Sequence, residues 1–293
     1  MTNPNHARLM RLATQAALAV ALTLVLAKAI AWWLSGSVSL LAGLTDSLLD
    51  SAASLINLIA VHFALRPADE DHRYGHGKAE ALAGLAQALF IGISAILIGL
   101  QGIERLQAPQ PLEAEGLGIA VMLLSLALTV ALLMFQHKVV RETGSTAIHA
   151  DSLHYRSDIL LNSSILLALL LTRFGWLQMD AIFAIGIAFY IFWSAISIVR
   201  GAIGVLMDEE LPSETTRHMY ELANAVPGVL GSHDLRTRIS GTRWFVQLHL
   251  ELPGEMSLSD AHAHCEAVEK AIHEQYPRAE VLVHADPSEV VQH

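Results

Sequence analysis

The chain has 293 residues, of which 53% are hydrophobic and only 16% charged, with a formal net charge of −10 and a mean hydropathy of +0.45. An ordinary soluble domain carries about 25% charged residues, so these numbers leave too little charge for a wet surface, and they also exclude disorder, a coiled coil and collagen. One cysteine, Cys265, excludes a disulfide framework and a thiolate metal cage, and the acidic balance argues against nucleic acid as a partner, which leaves an integral membrane protein.

A helix needs about 20 apolar residues to cross roughly 30 Å of hydrocarbon. Six stretches qualify: 11–34, 38–65, 81–106, 116–136, 148–172 and 178–205. The first lacks a small-residue cleavage site near its end, so it reads as a retained span rather than a signal peptide. Ser35-Gly36 marks a tight turn after it, and Arg66-Pro67 ends the second span. Gln107-Ala108-Pro109-Gln110-Pro111 breaks the third from the fourth, because two prolines so close cannot continue a helix. The short loops on one side carry Arg8, Arg11, Arg66, Arg73, Lys78, Lys138, Arg141 and Arg200, against Arg105 and Arg173 on the other. That bias predicts cytoplasmic N- and C-termini.

Composition changes near Asp208. Residues 1–208 hold 14 Asp+Glu against 12 Lys+Arg, a net of −2, whereas residues 209–293 hold 14 against 6, a net of −8, with 8 of the 15 histidines. The expected domains are therefore a six-span membrane domain, 1–208, and an acidic cytoplasmic domain, 209–293. In the tail a helix is predicted over 213–225 and strands over 233–239 and 243–252. In the second strand Trp244, Val246, Leu248 and Leu250 alternate with Phe245, Gln247, His249 and Glu251, the pattern of a half-buried strand. Ser257 and Asp260 form a capping-box signal for a helix to about Tyr276, and 280–284 closes as a third strand. The order αββαβ predicts an open sheet with helices on one face.

An ionisable residue inside a span costs about 2.5–3.5 kcal/mol or more on insertion scales, so it marks a pathway or site. The second span holds Asp46 and Asp50, and the fifth holds His154 and Asp158. Each pair has i,i+4 spacing and lies on one helix face. Two such faces meeting would bring together three carboxylates and one imidazole, a four-ligand set suited to tetrahedral Zn²⁺. Lys28 in the first span reads either as a counter-ion to this acidic site or as a snorkelling cation. Asp69, His72 and His76 form a second cluster in the loop after span two, where Gly75 and Gly77 allow the bend; alone, it reads equally as a solvated charged loop. In the tail, His233, His249, His262, His284 and Asp286 stand at strand ends and on the second helix of an acidic domain, a pattern that points to a divalent-cation site. His218, His264, His273 and His293 read as solvated.

The chain resembles the cation diffusion facilitator family, nearest to its bacterial zinc and iron efflux transporters. The resemblance runs through Asp46-Ser47-Leu48-Leu49-Asp50, His72-Arg73-Tyr74-Gly75-His76-Gly77-Lys78-Ala79-Glu80, Ala150-Asp151-Ser152-Leu153-His154-Tyr155-Arg156-Ser157-Asp158, His233-Asp234-Leu235-Arg236-Thr237-Arg238 and His284-Ala285-Asp286-Pro287. It implies a six-helix α-helical membrane bundle with a metallochaperone-like αββαβ tail, working as a homodimer in the bacterial inner membrane. It also implies roles by position: Asp46, Asp50, His154 and Asp158 as the intramembrane transport site, and Asp69, His72 and His76 as a loop site. His233, His249, His262, His284 and Asp286 match a cytoplasmic binuclear site with Asp286 as the bridging carboxylate. Leu153 matches a hydrophobic gate, and Lys78 with Asp208 an interprotomer charge pair.

The expected function is proton-coupled efflux of divalent cations. Three carboxylates and a histidine carry a formal charge of −3 when deprotonated and −1 with Zn²⁺ bound, so the site should exchange metal for protons rather than stand empty in low dielectric. His154 is the natural proton carrier, since an imidazole titrates at about 6.5 when unperturbed. Zn²⁺ serves as substrate and as structural or regulatory ion, and no organic cofactor is expected. Mixed nitrogen and oxygen ligation favours zinc while admitting Cd²⁺, Fe²⁺ and Mn²⁺. A membrane hydrolase is disfavoured because the chain has no H-E-x-x-H and a four-ligand site leaves no open position for catalytic water. A membrane-anchored sensor would have no use for four intramembrane ligands, and uphill proton-coupled flux separates a transporter from a channel.

Overall fold

The computed structural model describes residues 4–36, 38–107, 116–172 and 179–289. The chain forms two compact units, Met1–Ile203 and Gly204–His293. In the first, the apolar runs become α1 (Pro4–Ser35), α2 (Val38–Ala64), α3 (Ala79–Gln107), α4 (Gly116–Thr143), α5 (Thr146–Thr172) and α6 (Met179–Leu206). Runs of leucine and alanine favour helix, and a helix satisfies its backbone internally, as a membrane requires. Among the described residues five of these helices are long and apolar enough to span a bilayer. The polar exception is α5, which carries His149, Asp151, His154, Arg156 and Asp158.

The turn expected after the first span is present: Gly36 has φ +67° and its N–H donates to Trp32 O at 2.7 Å, a left-handed helix stop that glycine adopts freely. Most of the proline-rich break after α3 lies outside the described residues, as does Arg173. In the bundle α1 packs on α2 and α4, α4 on α5, and α3 on α2 and α5. Ile91 and Ala95 of α3 meet Ile191 and Ala195 of α6. At Gly102 a Cβ would stand 2.8 Å from the Ile185 side chain and 3.2 Å from Ala181 O, so this close helix crossing needs glycine.

Polar side chains fasten α5, the helix that bears two of the expected transport ligands. Gln87 Nε2 and Gln136 Nε2 each donate to one oxygen of Asp151 at 2.6 Å, which joins α3, α4 and α5 through buried groups. Ser145 Oγ donates to the buried Glu80 at 2.6 Å just before α5 begins. The Tyr155 hydroxyl donates to Ala17 O at 3.2 Å and shares a 2.8 Å hydrogen bond with Ser54 Oγ, tying α5 to α1 and α2. An orphaned buried donor costs about 1–3 kcal/mol. Asp151→Ala, which orphans two amides, is therefore expected to destabilise the bundle by about 2–5 kcal/mol, read as a lower unfolding temperature in detergent.

The second unit has the expected order: α7 (Ser213–Asn224), β1 (Gly231–Ser240), β2 (Arg243–Leu252), α8 (Leu258–Gln275) and β3 (Ala279–Pro287). The sheet runs β1-β2-β3. β1 and β2 are antiparallel, whereas β2 and β3 are parallel, the pairing that a helical crossover makes available. Met219 and Ala223 of α7, Val246, Leu248, Leu250 and Leu252 of β2, and Cys265, Val268 and Ile272 of α8 share one core. Both helices therefore cover the same sheet face. Ser257 caps α8, its Oγ accepting from Asp260 N at 3.2 Å.

Candidate functional site

The crossing of α2 and α5 brings one carboxylate from the first helix to an imidazole and a carboxylate of the second. His154 Nε2 lies 3.0 Å from Asp50 Oδ1 and 3.8 Å from Asp158 Oδ2, and one ligand atom from each of the three residues lies within 4.8 Å of the others. All three are half-buried. Asp46, one turn before Asp50, is exposed and is not a member of this group. Leu153 is half-buried beside His154. Lys28 reaches from α1 to α2, its Nζ donating to Gly43 O at 3.0 Å and to Ser47 Oγ at 2.7 Å.

The loop between α2 and α3 assembles the second set. Asp69 Oδ1 accepts from the His72 backbone N–H at 2.7 Å and lies 3.2 Å from His72 Nδ1, and Asp69 Oδ2 lies 3.3 Å from His76 Nε2. The backbone hydrogen bond from His72 holds the Asp69 carboxyl below its ordinary range. Gly75 supplies the bend at φ +78°, whereas Gly77 is not among the residues with positive φ. His76 is buried and packs edge-on against Phe63, ring centroids 4.6 Å apart; His72 and Asp69 stay exposed. His72→Ala and His76→Ala are each expected to weaken Zn²⁺ binding at the loop while lowering flux less than about tenfold, since its ligands are few and two of the three, Asp69 and His72, are exposed to water. Complete loss of flux would instead put the loop on the obligatory path.

In the tail, strand register makes the site. His233 pairs with His249 across β1 and β2, and His249 pairs with His284 across β2 and β3, so three histidines form a row across the sheet. Asp286 is two residues beyond His284 and hence on the same face. It lies 2.7 Å from His249 Nδ1 and 3.5 Å from His233 Nε2 through Oδ2, and 3.2 Å from His284 Nε2 through Oδ1. The hydrogen bond with His249 holds its carboxyl below the ordinary range. The register shifts between His233 and Arg236, where Asp234 takes φ +50°; such a bulge re-aims neighbouring side chains.

His262 stands apart from this row. It is on α8, which packs on the opposite sheet face, and its Nε2 lies 3.4 Å from Glu266. Three histidines expected to be solvated have partners: His218 Nδ1 lies 2.7 Å from the Tyr276 hydroxyl, His264 Nδ1 2.7 Å from Asp260 O, and His273 Nδ1 3.1 Å from Ala279 O. His293 lies outside the described residues. Lys78 precedes α3 in the first unit; Asp208, in the second, has φ +59° and lies 3.7 Å from Arg238. Sequence reasoning gave no role to Gln87, Gln136, Asp151 or Glu80, although polar groups in apolar spans were the signal that singled out the transport ligands.

A polytopic helical bundle with metal-type ligand sets, joined to a small sheet domain bearing another, defines a membrane protein that handles cations. The chain matches the cation efflux transmembrane domain over residues 14–207 and the cation efflux protein cytoplasmic domain over residues 211–288. It is 48% identical over 289 residues to the cation-efflux pump FieF of Klebsiella pneumoniae subsp. pneumoniae, covering 99% of this chain and 96% of that protein. It is 47% identical, with the same coverage, to the cation-efflux pump FieF of Yersinia enterocolitica. Among solved structures, the Zn form of CzrB is similar at 31% identity over 29% of this chain and 99% of that chain, with a TM-score of 0.28. The chain belongs to the cation diffusion facilitator family of cation efflux transporters and is of the FieF type.

Proposed function

We propose that the protein exports divalent metal ions, Zn²⁺ foremost and Cd²⁺ or Fe²⁺ as further substrates, from the cytoplasm in exchange for protons. The observation that carries this reading is the meeting of Asp50, His154 and Asp158 across α2 and α5, with one imidazole nitrogen facing two carboxylates. A protonated His154 Nε2 donates to Asp50 at 3.0 Å and leaves Asp158 at ion-pair distance, 3.8 Å away, and the space between them is the space a cation would take. Metal binding requires neutral imidazole and ionised carboxylate, so loading the ion releases protons. Asp46 completes the four-ligand set when α2 carries it one turn closer to α5, and Leu153 gates the approach. With the site open to each side in turn, an inward proton gradient drives the metal outward.

In this proposal the protein is a homodimer in the bacterial inner membrane with both termini cytoplasmic, and Lys78 and Asp208 form the charge pair between protomers. The tail takes two ions. One is held by His233, His249 and Asp286, the other by His284 and Asp286, with His262 contributed from a second chain, since α8 directs it away from the row in its own. The test is metal uptake into proteoliposomes with the pH gradient and the metal both varied. Zn²⁺ accumulation against its own gradient, driven by a proton gradient, is expected; purely downhill flux indifferent to the pH gradient would make the protein a channel.

A further inference from the structure

Lys28 is a cation in a span whose ammonium reaches the helix carrying Asp46 and Asp50. It donates to Gly43 O and to Ser47 Oγ. Gly43 lies three residues from Asp46, and Ser47 lies three residues from Asp50, so the lysine head is tethered within a turn of both aspartates. A Cβ at Gly43 would stand 3.8–3.9 Å from the end of the lysine chain, ordinary contact distance, so the chain lies along α2 instead of extending away from it. A snorkelling lysine runs to the interface with its head in water; this one is half-buried and bonded to the neighbouring helix. From α4 no titratable residue precedes His137, so the charged groups near Lys28 are those of α2 and α5.

We propose that Lys28 is the fixed counter-charge of the membrane site, a tethered cation that loosens the hold of the carboxylates on a divalent ion so that the ion can leave. This rests on the transport-site reading above. Charges interact far more strongly in a low-dielectric interior than in water, so three carboxylates and an imidazole alone would bind Zn²⁺ too tightly for rapid turnover. Conduction and transport need binding strong enough to load and weak enough to release. A positive charge at fixed distance from the α2 ligands repels the ion, and after release it offsets the mutual repulsion of the carboxylates. Because the anchor is α2 itself, the charge keeps its place beside Asp46 and Asp50 when α2 and α5 shift against each other.

The test compares Lys28→Gln, Lys28→Met and Lys28→Arg in the full-length protein. Zn²⁺ affinity is measured in a background carrying His76→Ala and Asp286→Ala, so that the membrane site reports, and the KM and maximal rate of Zn²⁺ flux are measured in the otherwise native chain. Both uncharged variants are expected to bind Zn²⁺ tighter by on the order of tenfold, with a lower KM and a maximal rate that falls along with it. Lys28→Arg should keep near-native values. Unchanged or weaker affinity and KM in the uncharged variants would overturn the proposal, and so would an arginine variant that behaves like glutamine. Asp50→Ala is run in the same background. If it still binds Zn²⁺, the membrane-site reading falls and the counter-charge with it; if its binding is lost while Lys28→Gln matches the parent, only the counter-charge falls.

Discussion

Asp50→Ala is expected to abolish Zn²⁺ flux, a loss of at least about 100-fold, while leaving the protein folded and inserted. Asp50 is the carboxylate that α2 presents to His154, at 3.0 Å, and without it only His154 and Asp158, 3.8 Å apart on one helix, remain of the three-residue group. Two donors from a single helix cannot enclose a tetrahedral ion, and Asp46 sits one turn away on the exposed surface. The fold should be indifferent. The Asp50 side chain is 28% exposed and belongs to no apolar cluster, and removing a charge from a span lowers the cost of inserting it. Flux in proteoliposomes, alongside a size-exclusion profile matching the parent, checks both halves. Normal flux in a correctly inserted Asp50→Ala protein would sink the assignment of the transport site.

The spans were legible because the bilayer imposes one length and one chemistry on every crossing element, and α2, expected over 38–65, runs Val38–Ala64. The span expected over 116–136 is the apolar part of α4, and a helix does not stop at the membrane surface. It continues to Thr143 until Gly144 at φ +67° ends it. The tail was legible for a different reason: the alternation in β2 and the Ser257 cap are local signals. Register is not local. No periodicity within a strand says that His233, His249 and His284 will line up across three strands, or that α8 will lie on the other face and take His262 away from them.

The membrane ligands show the same division. Spacing placed Asp46 and Asp50 on one face of α2, but it could not say at what depth α5 crosses, and a turn of helix is about 5.4 Å, which is enough to leave Asp46 out of the group. The Gln87–Asp151–Gln136 clamp escaped notice because amides are poor metal ligands and because its members lie 64 and 15 residues from Asp151 in the chain. Its residue types carried the signal nonetheless: a carboxylate in an apolar span is as costly there as the transport ligands, and the two carboxamides are polar groups that need partners when buried.

Asp286→Ala is expected to weaken Zn²⁺ binding by residues 209–293 by on the order of 100-fold or more, beyond what loss of an outer-shell partner costs, and to suppress zinc-driven association of the tail. One Asp286 oxygen faces His233 and His249 and the other faces His284, so its removal leaves a row of imidazoles with no anion to bridge them. The residues form a unit with its own core, which makes the isolated fragment testable by calorimetry and sedimentation. Its net charge of −8 makes two copies repel, and bound divalent ions reduce that repulsion while crosslinking strand ends, so Zn²⁺ should shift the fragment toward dimer. Metal and protons compete for the same donors, so the effect should fade in acid; the carboxyl of Asp286 is held below its ordinary range by its hydrogen bond with His249. In the full-length protein the same contact would bias the spans through the connection at Asp208, and His233→Ala should displace the flux–concentration curve toward higher Zn²⁺. If Zn²⁺ neither binds the fragment nor changes its association, and His233→Ala leaves that curve in place, the tail is not a metal-responsive contact.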